Sequence, residues 1–358
     1  LKYLGKLMRV LLLVSWLVAA MILVSSVCGI AADAGKNGLR LLNVNNSVEL
    51  MKAADDLSAG GGTIHLAPGE YVIDKPVELT GKNCVSVEGS GWDTTIRKRG
   101  DGDAVRIISC GFCSIRNMLI IGDSAAAKGS GVVFKDSSSC TVNYCRIAGF
   151  AESGIRFEGD SKNPMSSNTV SNCHFIGNLQ DQLYSYHNND FYITGNQFGT
   201  HTKYPRTGCV LDHSSAGTYS MNYHWGNMNA LRLGPGANFN RIENNRFEQS
   251  RETGIVIGSP KGDGCVYNII TGNTIHTNSE GEPGVYPAVS AANAVETTFC
   301  TNQIFSWNRD VVKQSAALVV GAGCRHWIIK DNIFRDCTGK ALVYDEGAGH
   351  IVKDNLMD

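Results

Sequence analysis

From Ile115 onward one hydrophobic phrase keeps returning: apolar-x-x-Asn-x-Ile/Phe, then, about seven residues later, Gly-apolar-x-apolar. The first half reads at Ile115 to Leu119, Val142 to Ile147, Val170 to Phe175, Ile193 to Phe198, Ile242 to Phe247, Ile270 to Ile275, Phe299 to Ile304 and Ile329 to Phe334. The second half reads at Gly131 to Phe134, Gly154 to Phe157, Gly208 to Leu211, Ala230 to Leu233, Gly254 to Ile257, Ala317 to Val320 and Ala341 to Tyr344. Each piece alternates apolar and polar positions over a few residues, the period of a strand with one buried face. Short strands that recur at a fixed period, with no long helical pattern between them, predict an all-β solenoid of roughly nine or ten coils, each of two or three strands.

The turn position of the phrase is filled by Asn117, Cys145, Cys173, Asn196, Asn245, Asn273, Asn302, Asn332 and Asn355, in steps of 28, 28, 23, 49, 28, 29, 30 and 23. The step of 49 spans two coils, the middle one being the poorly patterned Thr218 to Tyr223. Stacked asparagines suit a buried turn, because a carboxamide can pair with the backbone above and below it and relieve amides that water does not reach. Ahead of the repeat, Val48 to Leu57 has helical spacing with Ser47 as its N-cap, and is expected to cover the first coil.

After this helix comes Ala59-Gly-Gly-Gly-Thr63-Ile-His-Leu-Ala-Pro68-Gly69-Glu-Tyr71, then Val85-Ser-Val-Glu-Gly89-Ser-Gly91-Trp92-Asp-Thr-Thr95-Ile96. Both stretches resemble the opening coils of the pectate-lyase superfamily, whose first strand reads Gly-Gly-Thr-apolar-x-apolar-Pro-x-Gly-x-Tyr. The resemblance continues through the asparagine repeats and covers nearly everything after about residue 43. It implies a right-handed single-stranded parallel β-helix with a short N-terminal capping helix. For activity it implies only a range: lyases, polygalacturonases, epimerases, fructan-processing enzymes, phage tailspikes and adhesins. The polygalacturonase-type Asn-Thr-Asp, Asp-Asp and Gly-His-Gly set is absent, as is a pectate-lyase Arg-x-Pro-x-x-Arg.

The first 34 residues stand apart. Lys2, Lys6 and Arg9 precede an apolar run from Val10 to Val24, and Ala32-Asp33-Ala34 follows, as in an export signal cleaved to leave a β-helix domain over 35–358. The expected location is secreted, cell-surface or periplasmic, with no membrane association after cleavage; a retained anchor is the alternative. Cys113 and Cys140 lie 27 apart and Cys145 and Cys173 lie 28 apart, which is the coil period, so the cysteines are expected mostly as free, buried thiols. A net charge of −1 supplies no field for gripping nucleic acid.

With the inward positions committed to packing, chemistry must sit on outward positions and loops. One outward column reads Val133, Arg156, Ser185, Val210, Arg232, Val256, Val319 and Val343; another reads Met118, Arg146, His174, Gln197, Arg246, Thr274 and Gln303. Polar members concentrate mid-chain. There the link between Phe198 and Gly208 lengthens, and Thr207 to Asn229 departs most from the phrase while carrying Asp212, His213, Tyr219, Tyr223, His224 and Trp225. These residue types suit a sugar chain: rings stack on sugar faces, guanidinium groups pair with carboxylates, and acid/base groups flank the bond. The expected catalytic residues are Asp181, Asp212, His213 and Glu252, and the expected substrate contacts are Arg156, His187, His224, Trp225, Arg232 and Arg251.

Two mechanisms fit the composition of this set. A glycosidase needs two carboxylates about 5.5 or 6.5–9.5 Å apart, for which Asp181 with Glu152 or Asp212 is the candidate pair. A lyase needs a base for the proton next to a uronate carboxylate and a cation to neutralise that carboxylate; the group His187, Asp190, Asp212, His213, His224 and Arg232 offers both. No motif demands a metal, although Ca²⁺ is an alternative neutraliser for a lyase; Asp101-Gly-Asp103 and Gly122-Asp123 read as turns. The leading expectation is therefore a secreted polysaccharide-active hydrolase or lyase acting on a poly- or oligosaccharide. The alternative is a non-catalytic, glycan-binding solenoid of the adhesin or tailspike kind, expected as a homotrimer, with an epimerase as a third reading.

Overall fold

The computed structural model describes residues 40–357, apart from Ser58, His201, Lys203, Arg309 and Val312. The expected export signal lies outside the described residues, among which no helix is long and apolar enough to cross a membrane. The chain winds into a right-handed parallel β-helix of about 12 turns. A 23-stranded sheet forms two arms of the winding and an 11-stranded sheet closes it. Pairing is parallel throughout these turns, as where Val132 lies beside Ile155, Ile155 beside Leu183 and Leu183 beside Cys209.

The turn count exceeds the nine or ten expected because the winding begins before the asparagine phrase does. Gly62–Leu66 pairs with Val85–Gly89, which pairs with Ser114–Ile121, so two early coils built on Ile64 and Val87 belong to the same stack. The capping helix is Ser47–Asp56, and its N-cap is Asn46 rather than Ser47: the Asn46 side chain accepts the Glu49 amide at 3.0 Å. Leu50, Ala53 and Ala54 of this helix are buried against the first coil.

The asparagine ladder runs unbroken from Asn196 to Asn355. Asn222 supplies the rung hidden in the step of 49: the Asn196 amide donates to its Oδ1 at 3.0 Å, and the Asn222 amide donates to Asn245 Oδ1 at 2.9 Å. Each Nδ2 donates back to a carbonyl of the preceding coil, as from Asn222 to Ile193 and from Asn245 to Tyr219. Asn117 is not a rung. Met118 pairs with Cys145, so Asn117 occupies the neighbouring left-handed corner, at φ 57°. Ten of the described cysteines, Cys84 to Cys324, carry free thiols, and of these only Cys84 is exposed.

Phenyl rings stack inside the winding, Phe175 on Phe198 at 4.8 Å, and His224 continues the pile at 4.6 Å from Phe198 and 5.0 Å from Phe247. His224 is fully buried, with Nε2 bonded to the Tyr219 hydroxyl.

Candidate active site

Two adjacent strands of the 11-stranded sheet, Asp181–Tyr186 and Thr207–Asp212, carry the densest chemistry. In the first, Leu183 and Ser185 point inward and are fully buried, so Tyr184 and Tyr186 face outward. The outward column here therefore contains Tyr184 in place of the expected Ser185: Arg156 pairs with Tyr184, Tyr184 with Val210, and Val210 with Arg232. Ser185 Oγ instead meets Ser214 Oγ inside, at 3.1 Å. In the other column Leu119, not Met118, stands beside Arg146, and Tyr223 fills the rung between Gln197 and Arg246.

Tyr186 pairs with Asp212, which brings the ends of the two strands together. The Tyr184 hydroxyl donates to Asp212 Oδ2 at 3.3 Å, and Asp212 Oδ1 lies 2.8 Å from His213 Nδ1. The His213 ring is 4.9 Å from the His187 ring and 5.6 Å from that of Tyr186. Both histidines sit just past a strand with positive φ, 46° and 48°, the left-handed corner conformation that recurs along the winding. The Arg156 guanidinium stands 5.7 Å from the Tyr184 ring centre and ion-pairs with Glu158. Burial, then the charge of Asp212 and its hydrogen bond, push the Tyr184 phenol up to about 12. Burial and the neighbouring His213 hold His187 below the usual imidazole value. At neutral pH, Tyr184 thus keeps its proton and His187 is an unprotonated base.

The structure separates Asp181 from Asp212 and keeps Asp181 and Glu152 on neighbouring turns, where the Gln180 amide donates to the Glu152 carbonyl at 3.0 Å. Asp181 opposes Thr207 while Asp212 opposes Tyr186, so they stand five residues apart along the strand, roughly 17 Å. Asp181 is buried and held by both nitrogens of an Arg206 fork. Glu152 turns the other way along the stack and accepts the Gly129 amide at 3.1 Å. Glu252 accepts from Asn229 Nδ2 at 3.0 Å, and Arg251 lies over the Tyr204 ring at 4.6 Å, both at the corner leading into the 11-stranded sheet. Two expected sugar contacts move elsewhere. His224 is locked inside the winding, out of reach of any sugar chain, because its position in Tyr223–Trp225 is the inward one. Trp225 faces outward on the other sheet, next to Tyr223.

A family model described as "Right handed beta helix region" matches residues 77–222 and 207–358. The chain belongs to this family. Among solved structures, this β-helix protein is similar to the A-module of mannuronan C-5 epimerase AlgE6 from Azotobacter vinelandii, with TM-score 0.67, 15% identity, and coverage of 87% of this chain and 94% of that one. It is also similar to a tailspike protein mutant of E. coli bacteriophage HK620 in complex with pentasaccharide, at TM-score 0.65 and 14% identity over 87% of this chain and 62% of that one. A third is DFA-IIIase from Arthrobacter chlorophenolicus A6 in complex with GF2, at TM-score 0.56 and 14% identity over 85% and 92% of the two chains. No curated protein matches the chain.

On this β-helix a hollow of about 320 Å³ lies on the two turns before the Tyr184 cluster, lined by Asp136, Ser138, Asp160, Asn163, Pro164 and Met165; the Met165 amide donates to the His187 carbonyl at 2.9 Å. Among the described residues, no three His, Cys, Asp or Glu side chains are grouped to hold a metal ion. The groups assembled here are a protonated phenol, a neutral imidazole, a carboxylate that fixes a second imidazole, and two arginines of one outward column. Such groups have the chemistry to exchange protons and to pair with an anion. Sequence reasoning missed Tyr184 and Tyr186, although strict alternation from Leu183 would have turned both outward.

Proposed function

We propose that this protein is an exported polysaccharide-active enzyme, and that it acts on uronate-containing chains by proton abstraction. Arg156, beside the Tyr184 ring, receives the uronate carboxylate; His187 takes the proton from the adjacent ring carbon; Tyr184 gives its proton to the leaving glycosidic oxygen. The ring C–H and C–O bonds break, a C=C bond forms beside the carboxylate, and the chain is cut by elimination. Asp212 positions Tyr184 and His213. One observation carries this reading: the hydrogen-bonded line Tyr184, Asp212, His213, with His187 against its end. Hydrolysis by the expected pair Asp181 and Asp212 is less well supported, because it needs two carboxylates within about 9.5 Å and these lie roughly 17 Å apart. The similar structures, a mannuronan epimerase and a pentasaccharide-bound tailspike, support a sugar chain as the ligand.

The test is a panel of uronate and neutral polysaccharides, read for ultraviolet absorbance of unsaturated uronate and for reducing ends. Elimination raises both together on a uronate polymer. Reducing ends without absorbance mean a hydrolase, inverted sugar configuration without cleavage means an epimerase, and binding with no product means a glycan-binding solenoid; each of these overturns the lyase assignment.

A further inference from the structure

The other large face of the solenoid carries a second strip of aromatic and polar residues. Register lines up Ile121, Ala148, Ile176, Gly199 and Trp225 on successive turns. Pairing of Tyr223 with Arg246 and of His224 with Phe247 sets Glu248 next, then His276 and Phe305. At about 4.8 Å per rung this column is roughly 34 Å long. Hollows of about 240 and about 400 Å³ mark its two ends, the first lined by Ala148, Ile176 and Thr200, the second by Gln303, Phe305, Trp307 and Arg335. Between them the Trp225 ring lies flat on Gly199, where a Cβ would come within 2.1 Å of it, and beside Tyr223 at 4.8 Å. Trp307, 77% exposed, stands at the far end, and Trp92 meets His174 edge-on at 5.1 Å near the other.

Glu248 sits mid-strip, only 6% exposed, and is bonded by the Tyr223 hydroxyl, by Arg246 Nε at 2.7 Å and by His276 Nε2 at 2.9 Å. Burial pushes its carboxyl up, but the bonds from His276, Tyr223 and Arg246 outweigh this and leave it below the ordinary value. The carboxylate at the centre is thus neutralised by its neighbours, while Arg146, His174 and Arg246 form the adjoining outward column. Flat rings for sugar faces and the guanidinium groups of Arg146 and of the half-exposed Arg246 for carboxylates fit one ligand chemistry, an anionic sugar chain; His174, held below the usual imidazole value by burial and Arg146, adds an uncharged ring.

We propose that this strip is a second carbohydrate site, which holds a carboxylated sugar chain without cleaving it. The ligand class rests on the reading of the Tyr184 cluster; the site itself does not. The two lie on different sheets, separated by the corner that holds Asp181 and Arg206. A polymer bound at both gains from effective concentration, whereas an oligomer too short to span them does not.

Calorimetric titration of a mannuronate hexamer and of cellohexaose into the full chain tests this, using Trp307→Ala, Arg246→Gln and Tyr184→Phe. Trp307 is exposed enough that its removal leaves the fold intact, which an unchanged thermal midpoint verifies. Expected is binding of the mannuronate hexamer to wild type and to Tyr184→Phe, with Trp307→Ala and Arg246→Gln each weakening it about tenfold and cellohexaose binding far more weakly throughout. Unchanged affinity in both strip variants, or equal binding of cellohexaose, overturns the proposal. Failure of the elimination assay with strip-dependent binding intact removes only the catalytic reading, and turnover without strip-dependent binding removes only this one.

Discussion

Two stacks of polar side chains cross the same middle turns of this solenoid. At one corner Asn196, Asn222, Asn245 and Asn273 are buried, and each carboxamide both accepts a backbone amide and donates to a backbone carbonyl. On the outward face of the 11-stranded sheet, Tyr184, Asp212 and His213 are half-buried and bond chiefly to one another. The first stack is closed: its hydrogen-bonding capacity is spent within the chain, so it can only hold the fold. The second is open to solvent and has a phenol and two imidazoles turned toward it. Closure of the network, rather than polarity or stacking, separates a structural column from a chemical one.

The largest effect is expected from Tyr184→Phe. On the proposed elimination, removal of its general acid lowers turnover on the polymer by about 10²- to 10⁴-fold, while loss of one half-exposed hydrogen bond costs about 1 kcal/mol or less. Initial rates and thermal melts, measured side by side, check both parts. A variant that keeps its rate and loses its stability would place Tyr184 with the structural column and break the comparison.

The converse is expected of Asn245→Ala. It strands the Asn222 amide and the Tyr219 carbonyl in the interior, at about 1–3 kcal/mol for each group. The urea midpoint should fall accordingly, with turnover per folded molecule unchanged.

His224 lets the interior be probed by pH. Its imidazole is held near 3 by burial, against 6.5 as the ordinary value, and Nδ1 has no partner among the described residues. Below pH 6.5 the unfolded chain takes up a proton that the folded chain refuses. Stability is therefore full above pH 6.5 and falls by about 1.4 kcal/mol per unit on the way down to the folded value, or about 2 kcal/mol by pH 5. His224→Phe, which continues the pile of Phe175, Phe198 and Phe247, should flatten this dependence; an unchanged slope would show that the acid sensitivity lies elsewhere.

The period of the phrase made the fold legible, because inward positions repeat whatever the outward ones do. Errors arose where one coil met the rule with an unusual residue. Ser185 is small and polar yet points inward, so it displaced Tyr184 from the outward column. Asn222 was hidden because its coil carries Tyr219 and His224 at positions that are aliphatic or phenyl elsewhere. Asn117 misled in the opposite sense, as an asparagine that suits a left-handed corner. Glu248 stood out only as part of the charged stretch Arg241 to Glu252, and His276 not at all, although each follows an inward residue, Phe247 and Ile275, and must therefore face outward. What no pattern could supply was pairing across coils, since coil lengths vary and only the register fixes that Asp181 meets Arg206 and Asp212 meets Tyr184.

The smallest effect is expected where the ladder begins. Cys173 occupies a rung: its amide donates to Asn196 Oδ1 at 2.9 Å, and its thiol lies 3.7 Å from the Val142 carbonyl, the kind of acceptor each ladder Nδ2 uses. Cys173→Asn would thus give the new Nδ2 an acceptor at once. The new Oδ1 would face Cys145, which lies within the uninterrupted strand Thr141–Ala148, whereas coils inside the ladder break at the rung, as Thr169–Ser171 and His174–Ile176 do. To satisfy that oxygen the strand must open and trade one backbone bond for one to the side chain, an exchange worth less than about 1 kcal/mol in either direction. A thermal midpoint within a few degrees of wild type is the expected result. A larger loss would show that the ladder stops at Asn196 because the corner below it has no room for a carboxamide.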